Sequence, residues 1–220
     1  MLEINGVTAF IANAQILNGV SLAARRGEAT GVAGHNGAGK TTLMRAIMGL
    51  QPCRDGAILF DGERLDRMPA RARAAMGIGY MPEDRRLVPE LTARENIELP
   101  MAIAKRADAK NRLEWILDLM PVLRPLIDRR GNQLSGGQQK LVALARALSY
   151  GDKLLLLDEP CEGVAPALAM QLIDVLARLK ATGLTILVTD SDGDRLRHLF
   201  DAAFTIERGA VRRDLALRSA

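Results

Sequence analysis

Gly34-His35-Asn36-Gly37-Ala38-Gly39-Lys40-Thr41 satisfies G-x-x-x-x-G-K-[ST], and the residues on either side supply the context that such a loop needs. Glu28 to Ala33 is an apolar-biased run that enters the loop. Lys40 to Leu50 leaves it with Leu43, Ile47 and Leu50 at helical spacing. The order is strand, glycine loop, helix. Glycines in such a loop let successive backbone N–H groups turn inward around a phosphate, and the start of the following helix adds its positive end. The stretch therefore predicts a site for ATP formed by Gly34, Asn36, Gly37, Ala38, Gly39, Lys40, Thr41 and Thr42. Lys40 is expected to supply a point charge for the β- and γ-phosphates, and Thr41 a hydroxyl for Mg²⁺. His35 occupies a variable slot of the pattern and is expected to be an exposed loop side chain.

A second stretch answers the first from 120 residues downstream. Leu154-Leu155-Leu156-Leu157 reads as a strand buried on both faces, and Asp158-Glu159-Pro160 ends it. Ligands bind at the carboxyl ends of strands in open parallel sheets. Two acids delivered there suit Mg²⁺ binding by Asp158 and alignment of an attacking water by Glu159. Leu184 to Val188 is a further apolar run, with a helical pattern from Pro166 to Lys180 between the two, which makes a parallel β-α-β unit.

Further from these stretches the chain changes character twice. Residues 2–8 alternate apolar and polar, 16–22 do so less regularly, and Asp55-Gly56 and Asp61-Gly62 bracket Ala57 to Phe60; all three read as strands of an antiparallel portion. From about 85 to 150 the pattern is helical. Thr92-Ala93-Arg94-Glu95 is a capping box, and Leu113 to Met120 and Gln138 to Leu148 continue the helical spacing, with Pro121 and Pro125 as separators.

Composition narrows the function classes. With 220 residues, 48% apolar and 25% charged, the chain can bury one full-sized core. The net charge of +4 comes with scattered arginines and only 3% aromatic residues, so nucleic acid is not the expected partner. Cys53 and Cys161 lie far apart with no zinc-type spacing, and reduced thiols are expected. No apolar run reaches the length of a membrane span, so contact with a membrane is expected only through other chains.

Leu134-Ser135-Gly136-Gly137-Gln138-Gln139 stands directly before a long helical pattern, with Ser135 as cap and two glycines that leave backbone N–H groups open to an anion. Together with the glycine loop and the Asp158-Glu159 strand, this stretch resembles the nucleotide-binding subunit of ABC transporters over essentially the whole chain. Tyr80-Met81-Pro82-Glu83-Asp84-Arg85-Arg86, Leu91 to Asn96 and Glu162-Gly163-Val164-Ala165-Pro166 resemble the LivF-type ATPases of branched-chain amino-acid importers in particular.

The resemblance implies an α/β fold: a P-loop NTPase core with mixed parallel sheet over residues 1–84 and 151–220, an N-terminal antiparallel β subdomain, and an inserted helical subdomain over about 85–150. It implies ATP with Mg²⁺, held by Thr41, Asp158 and Glu83, the last standing where a glutamine is usual. It implies a second ATP-binding subunit, either another copy or a LivG-like chain, set head to tail so that Ser135, Gly136, Gly137 and Gln138 of one subunit close over the nucleotide of the other. Transmembrane permease subunits would sit against residues 83–95, at the cytoplasmic face of the inner membrane. The implied activity is ATP hydrolysis powering an importer for amino acids or similar small polar solutes. The alternatives are a weakly hydrolysing, regulatory half of a heterodimer and an ABC ATPase with no transporter.

Two departures from the family pattern bear on the chemistry. Asp190-Ser191-Asp192 stands where Glu-His-Asp or Glu-Gln-Asn is expected, so Ser191 is the candidate for the γ-phosphate contact. A hydroxyl there is short and uncharged. Ile11 occupies the usual position of a tyrosine that stacks on adenine, and the neighbouring Phe10 is the candidate replacement. His198 and Trp115 are expected to be a surface side chain and a packing residue of the helical part.

Overall fold

In the computed structural model, which describes residues 1–191 and 195–214, the run entering the glycine loop is β3 (Ala29–Ala33), the third strand of the chain. Before it come β1 (Leu2–Ile11) and β2 (Ala14–Ala24), and after it β4 (Cys53–Phe60) and β5 (Glu63–Arg64). These four form an antiparallel sheet in the order β2-β1-β4-β5. Alternation in β1, with Leu2, Ile4, Val7 and Ala9 buried, turns one face of that sheet to the core.

The second sheet has six strands in the order β10-β9-β3-β8-β7-β6, where β6 is Ile78–Met81, β7 Leu154–Asp158, β8 Thr185–Asp190, β9 Ala202–Glu207 and β10 Ala210–Asp214. All pairings but β9 with β10 are parallel. Parallel strands need crossovers, and here these are α1 (Lys40–Met48), α5 (Gly136–Leu148) and α6 (Pro166–Ala181), with α2 (Ala70–Ala75), α3 (Ala93–Ile103) and α4 (Ala109–Leu119) in the longer connections.

Strand β7 shows why a continuous apolar run is required there. Leu154 and Leu156 join a core with Leu43, Met44 and Ile47 of α1 and the inner face of the antiparallel sheet. Leu155 and Leu157 point the other way, into a core with Leu141, Leu144 and Leu148 of α5, Leu172 and Leu176 of α6, and Ile97, Ile116 and Leu117 from α3 and α4. Successive side chains of a strand face opposite ways, so one strand serves two cores.

Strand β6 is not expected from the sequence. Its glycine weakens strand propensity, but the fold needs it: a Cβ on Gly79 would sit 2.3 Å from the Ala147 carbonyl of α5. The hairpin β9–β10 is likewise unexpected; it turns through Arg208 and Gly209, both at positive φ (48° and 77°). Trp115 packs against the helical core as expected, with the Arg112 guanidinium 4.1 Å from its ring.

Candidate active site

The glycine loop, Glu83, Asp158, Glu159 and Ser191 all lie at the carboxyl ends of parallel strands β3, β6, β7 and β8, which gathers them at one edge of the sheet. Gly37 and Gly39 adopt φ of +82° and +112°, values that favour glycine. A Cβ on Gly34 would lie 2.4 Å from the Ile206 carbonyl, so the loop is seated directly against β9. Gly39 precedes α1 without any side-chain cap, which leaves the first N–H groups of that helix for an anion. Lys40 is only 5% exposed, and its ammonium is held by the carbonyls of Gly34 and His35. His35 is exposed, as expected.

Lys40 Nζ also lies 3.0 Å from Glu159 Oε1, an ion pair with both side chains buried. Glu159 Oε2 accepts from the backbone N–H and hydroxyl of Ser191, at 2.9 and 3.1 Å. The backbone of Glu159 has φ +51°, strained for a residue with a Cβ. Its N–H donates to the Thr189 carbonyl at 3.2 Å. A carboxylate fixed this firmly at a strand end is suited to accept a proton from a neighbouring water.

Asp158 is fully buried. Its Oδ1 accepts from the Thr189 hydroxyl at 2.7 Å, while its Oδ2 is buried with no hydrogen bond. Burial pushes its carboxyl above the usual carboxylate range, with the Thr189 and Thr41 hydroxyls pulling the other way. On acidification Asp158 therefore takes up a proton before a solvated aspartate does. The Thr41 hydroxyl donates to Glu83 Oε2 at 3.3 Å. Thr41, Glu83 and Asp158 are thus an all-oxygen donor set with one buried oxygen unspent, which fits Mg²⁺.

Ser135 forms a complete capping box: its hydroxyl accepts from Gln138 N at 3.3 Å, and Gln138 Oε1 accepts from Ser135 N at 2.9 Å. A Cβ on Gly137 would lie 2.5 Å from Leu168 of α6, so the second glycine of the pair lets α5 begin close beside α6. Within one chain this loop is a separate element from the cavity beside the glycine loop, which is lined by Ile11, Ile16, Asn36, Gly37, Gly39, Lys40, Thr41, Thr42, Glu83 and Glu159.

One sequence expectation shifts. Phe10 lies outside that cavity; its ring faces the Arg54 guanidinium at 5.1 Å in another hollow, with Ala12, Asn13 and Pro52. The register of β1 against β2 shifts on both sides of Ala9, and a one-residue slip moves neighbouring side chains to opposite faces. The apolar wall available to a base is therefore Ile11 and Ile16. Phe10→Ala is expected to leave ATP affinity within about twofold, whereas Ile11→Tyr strengthens it roughly 3–10-fold by stacking, as read by fluorescence titration. Ser191, for its part, grips Glu159. Asp192, named with it from the sequence, lies outside the described residues. His198 is exposed in a short helical turn, as expected.

Three residues that sequence reading does not single out tie the site together. Thr189 supports Asp158. Arg146, on α5, donates to the carbonyls of Arg85 and Arg86 at 2.5 Å each, and both of those residues have positive φ (63° and 48°), so the segment carrying Glu83 is clamped in a strained shape. Lys140, also on α5, donates to the Glu159 carbonyl at 2.6 Å. These contacts join residues 19 to 61 positions apart, and no local pattern announces them.

Comparison with known proteins places this geometry. The family described as ABC transporter matches residues 17–162. The chain is 32% identical to the high-affinity branched-chain amino acid transport ATP-binding protein BraG of Pseudomonas aeruginosa, over 96% of this chain and 91% of that protein. It is also 32% identical to the lipopolysaccharide export system ATP-binding protein LptB of Escherichia coli, over 89% of this chain and 82% of that protein. Among solved structures, a dimeric bacterial ABC transporter cassette superposes with a TM-score of 0.89 at 26% identity, covering 100% of both chains. A dimeric post-hydrolysis state of an ATP-binding cassette bound to ADP and phosphate gives the same values.

Proposed function

Since this chain belongs to the ABC transporter ATP-binding family and is an ATPase that works with Mg²⁺, we propose that it powers an importer for amino acids or similar small polar solutes. Supporting the solute class are the stretches Tyr80 to Arg86 and Glu162 to Pro166 and the likeness to BraG along nearly the whole chain. Among the described residues no helix is long and apolar enough to cross a membrane, so coupling to transport falls to permease partners at the cytoplasmic face.

The observation that carries the catalytic reading is the Glu159 carboxylate, held between Lys40 and Ser191 at the mouth of the glycine loop. In this reading the loop N–H groups and Lys40 bind the β- and γ-phosphates, and the ammonium exchanges carbonyl and carboxylate partners for phosphate oxygens. Glu159 takes the proton of the attacking water, and Ser191 keeps the carboxylate turned toward that water. Thr41, Asp158 and Glu83 would hold Mg²⁺, which would supply positive charge to neutralise the phosphates. Ser135 to Gln138 of a second subunit completes the site, so closure of the pair precedes hydrolysis and its reopening follows.

The solute assignment is tested by purifying the chain with its membrane partners and measuring ATPase in liposomes. Several-fold stimulation by an amino acid with its binding protein is the expected result. Stimulation by lipopolysaccharide instead, or recovery of the chain with soluble or ribosomal proteins alone, would overturn it.

A further inference from the structure

Lys140 is 4% exposed, on the first turns of α5, and its Nζ donates to the Glu159 carbonyl at 2.6 Å. An ammonium is costly to desolvate, and a methionine or leucine would fill the same space without that cost, so a lysine at such a place asks what its charge does. The oxygen it grips belongs to a residue held in a strained backbone conformation. Glu159 has φ +51°, its N–H is held by Thr189, and its carbonyl also accepts from Glu162 N at 3.3 Å. Backbone conformations of this kind persist only where surrounding contacts over-determine them. Rotation of the Glu159 peptide would swing the carboxylate away from both Lys40 and Ser191.

We propose that Lys140 is a positioning residue for hydrolysis: its buried ammonium fixes the Glu159 peptide from α5 and thereby aims the Glu159 carboxylate. The proposal rests on the reading of Glu159 as the base. Burial pulls the Lys140 pKa down, with the nearby Glu162, Cys161 and Glu159 acting to raise it and Arg85 to lower it. The helix that carries Lys140 is capped by Ser135, so the residue that aims one carboxylate rides on the element expected to cover the other subunit's nucleotide.

The test compares Lys140→Met and Lys140→Gln, each with Glu159 intact and in a Glu159→Gln background, reading kcat, KM for ATP and nucleotide affinity. Lys140→Met is expected to lower kcat by about 10–100-fold, the range in which a misplaced catalytic group costs rate, with KM and affinity within about twofold. Lys140→Gln, which can still donate to a carbonyl, recovers part of the loss. In the Glu159→Gln background Lys140→Met costs nothing further, since the carboxylate it aims is gone. Wild-type kcat in Lys140→Met, or an equal loss in both backgrounds, would overturn the proposal. Full turnover by Glu159→Gln alone overturns the base assignment and this proposal with it.

Discussion

Glu159→Gln is expected to lower ATP turnover by about 10²–10³-fold, equivalent to about 3–4 kcal/mol of transition-state stabilisation, while ATP binding is kept. The amide has nearly the shape of the carboxylate, so the Ser191 donors at 2.9 and 3.1 Å can still meet its oxygen. What goes is the negative charge and the ability to take a proton. Lys40 loses its ion pair but keeps the Gly34 and His35 carbonyls, so the phosphate loop stays formed. Removing a carboxylate from beside the γ-phosphate also removes a repulsion, so ATP is held at least as tightly. With ATP and Mg²⁺ the variant is therefore expected to elute from gel filtration as a persistent dimer. Turnover close to the wild-type rate would show that another group does the work.

A comparable loss, about 100-fold in turnover, is expected for Ser135→Arg at a residue remote from the glycine loop of its own chain. The substitution removes the hydroxyl that accepts from Gln138 N, costing about 1 kcal/mol of helix stability, and places a bulky side chain where an anion would meet the start of α5. ATP affinity of the same chain, measured by titration, is expected to be unchanged, because none of the residues lining the cavity beside the glycine loop is touched.

Legibility from the sequence follows the range of the contacts. The glycine loop and the Asp158–Glu159 strand end are local patterns, and so are the capping box at Thr92 and the cap at Ser135; both form in the structure, the second also as a full box with Gln138. The order strand, loop, helix and the β-α-β unit after it are legible because buried parallel strands need continuous apolar runs. Strand β6 is hidden because close packing on α5 demands a glycine that propensity counts against a strand. Phe10 lies away from the cavity beside the glycine loop, and shifts in the register around Ala9 break the simple alternation by which its face is judged. The clamp of Arg146 on Arg85 and Arg86, and of Lys140 on Glu159, joins α5 to two other segments, and only the fold brings such partners together.

Hydrolysis is expected at a site shared between the glycine loop of one subunit and Ser135 to Gln138 of another. Mixing two inactive forms, Lys40→Ala and Ser135→Arg, reads this sharing without further assumptions about the partner membrane proteins. In a symmetric head-to-tail pair, half of the dimers in an equal mixture carry one intact site and one doubly damaged site, so about a quarter of the wild-type rate returns. A Ser135→Arg protein that hydrolyses ATP at full rate by itself, or a mixture as inactive as its components, would rule the shared site out.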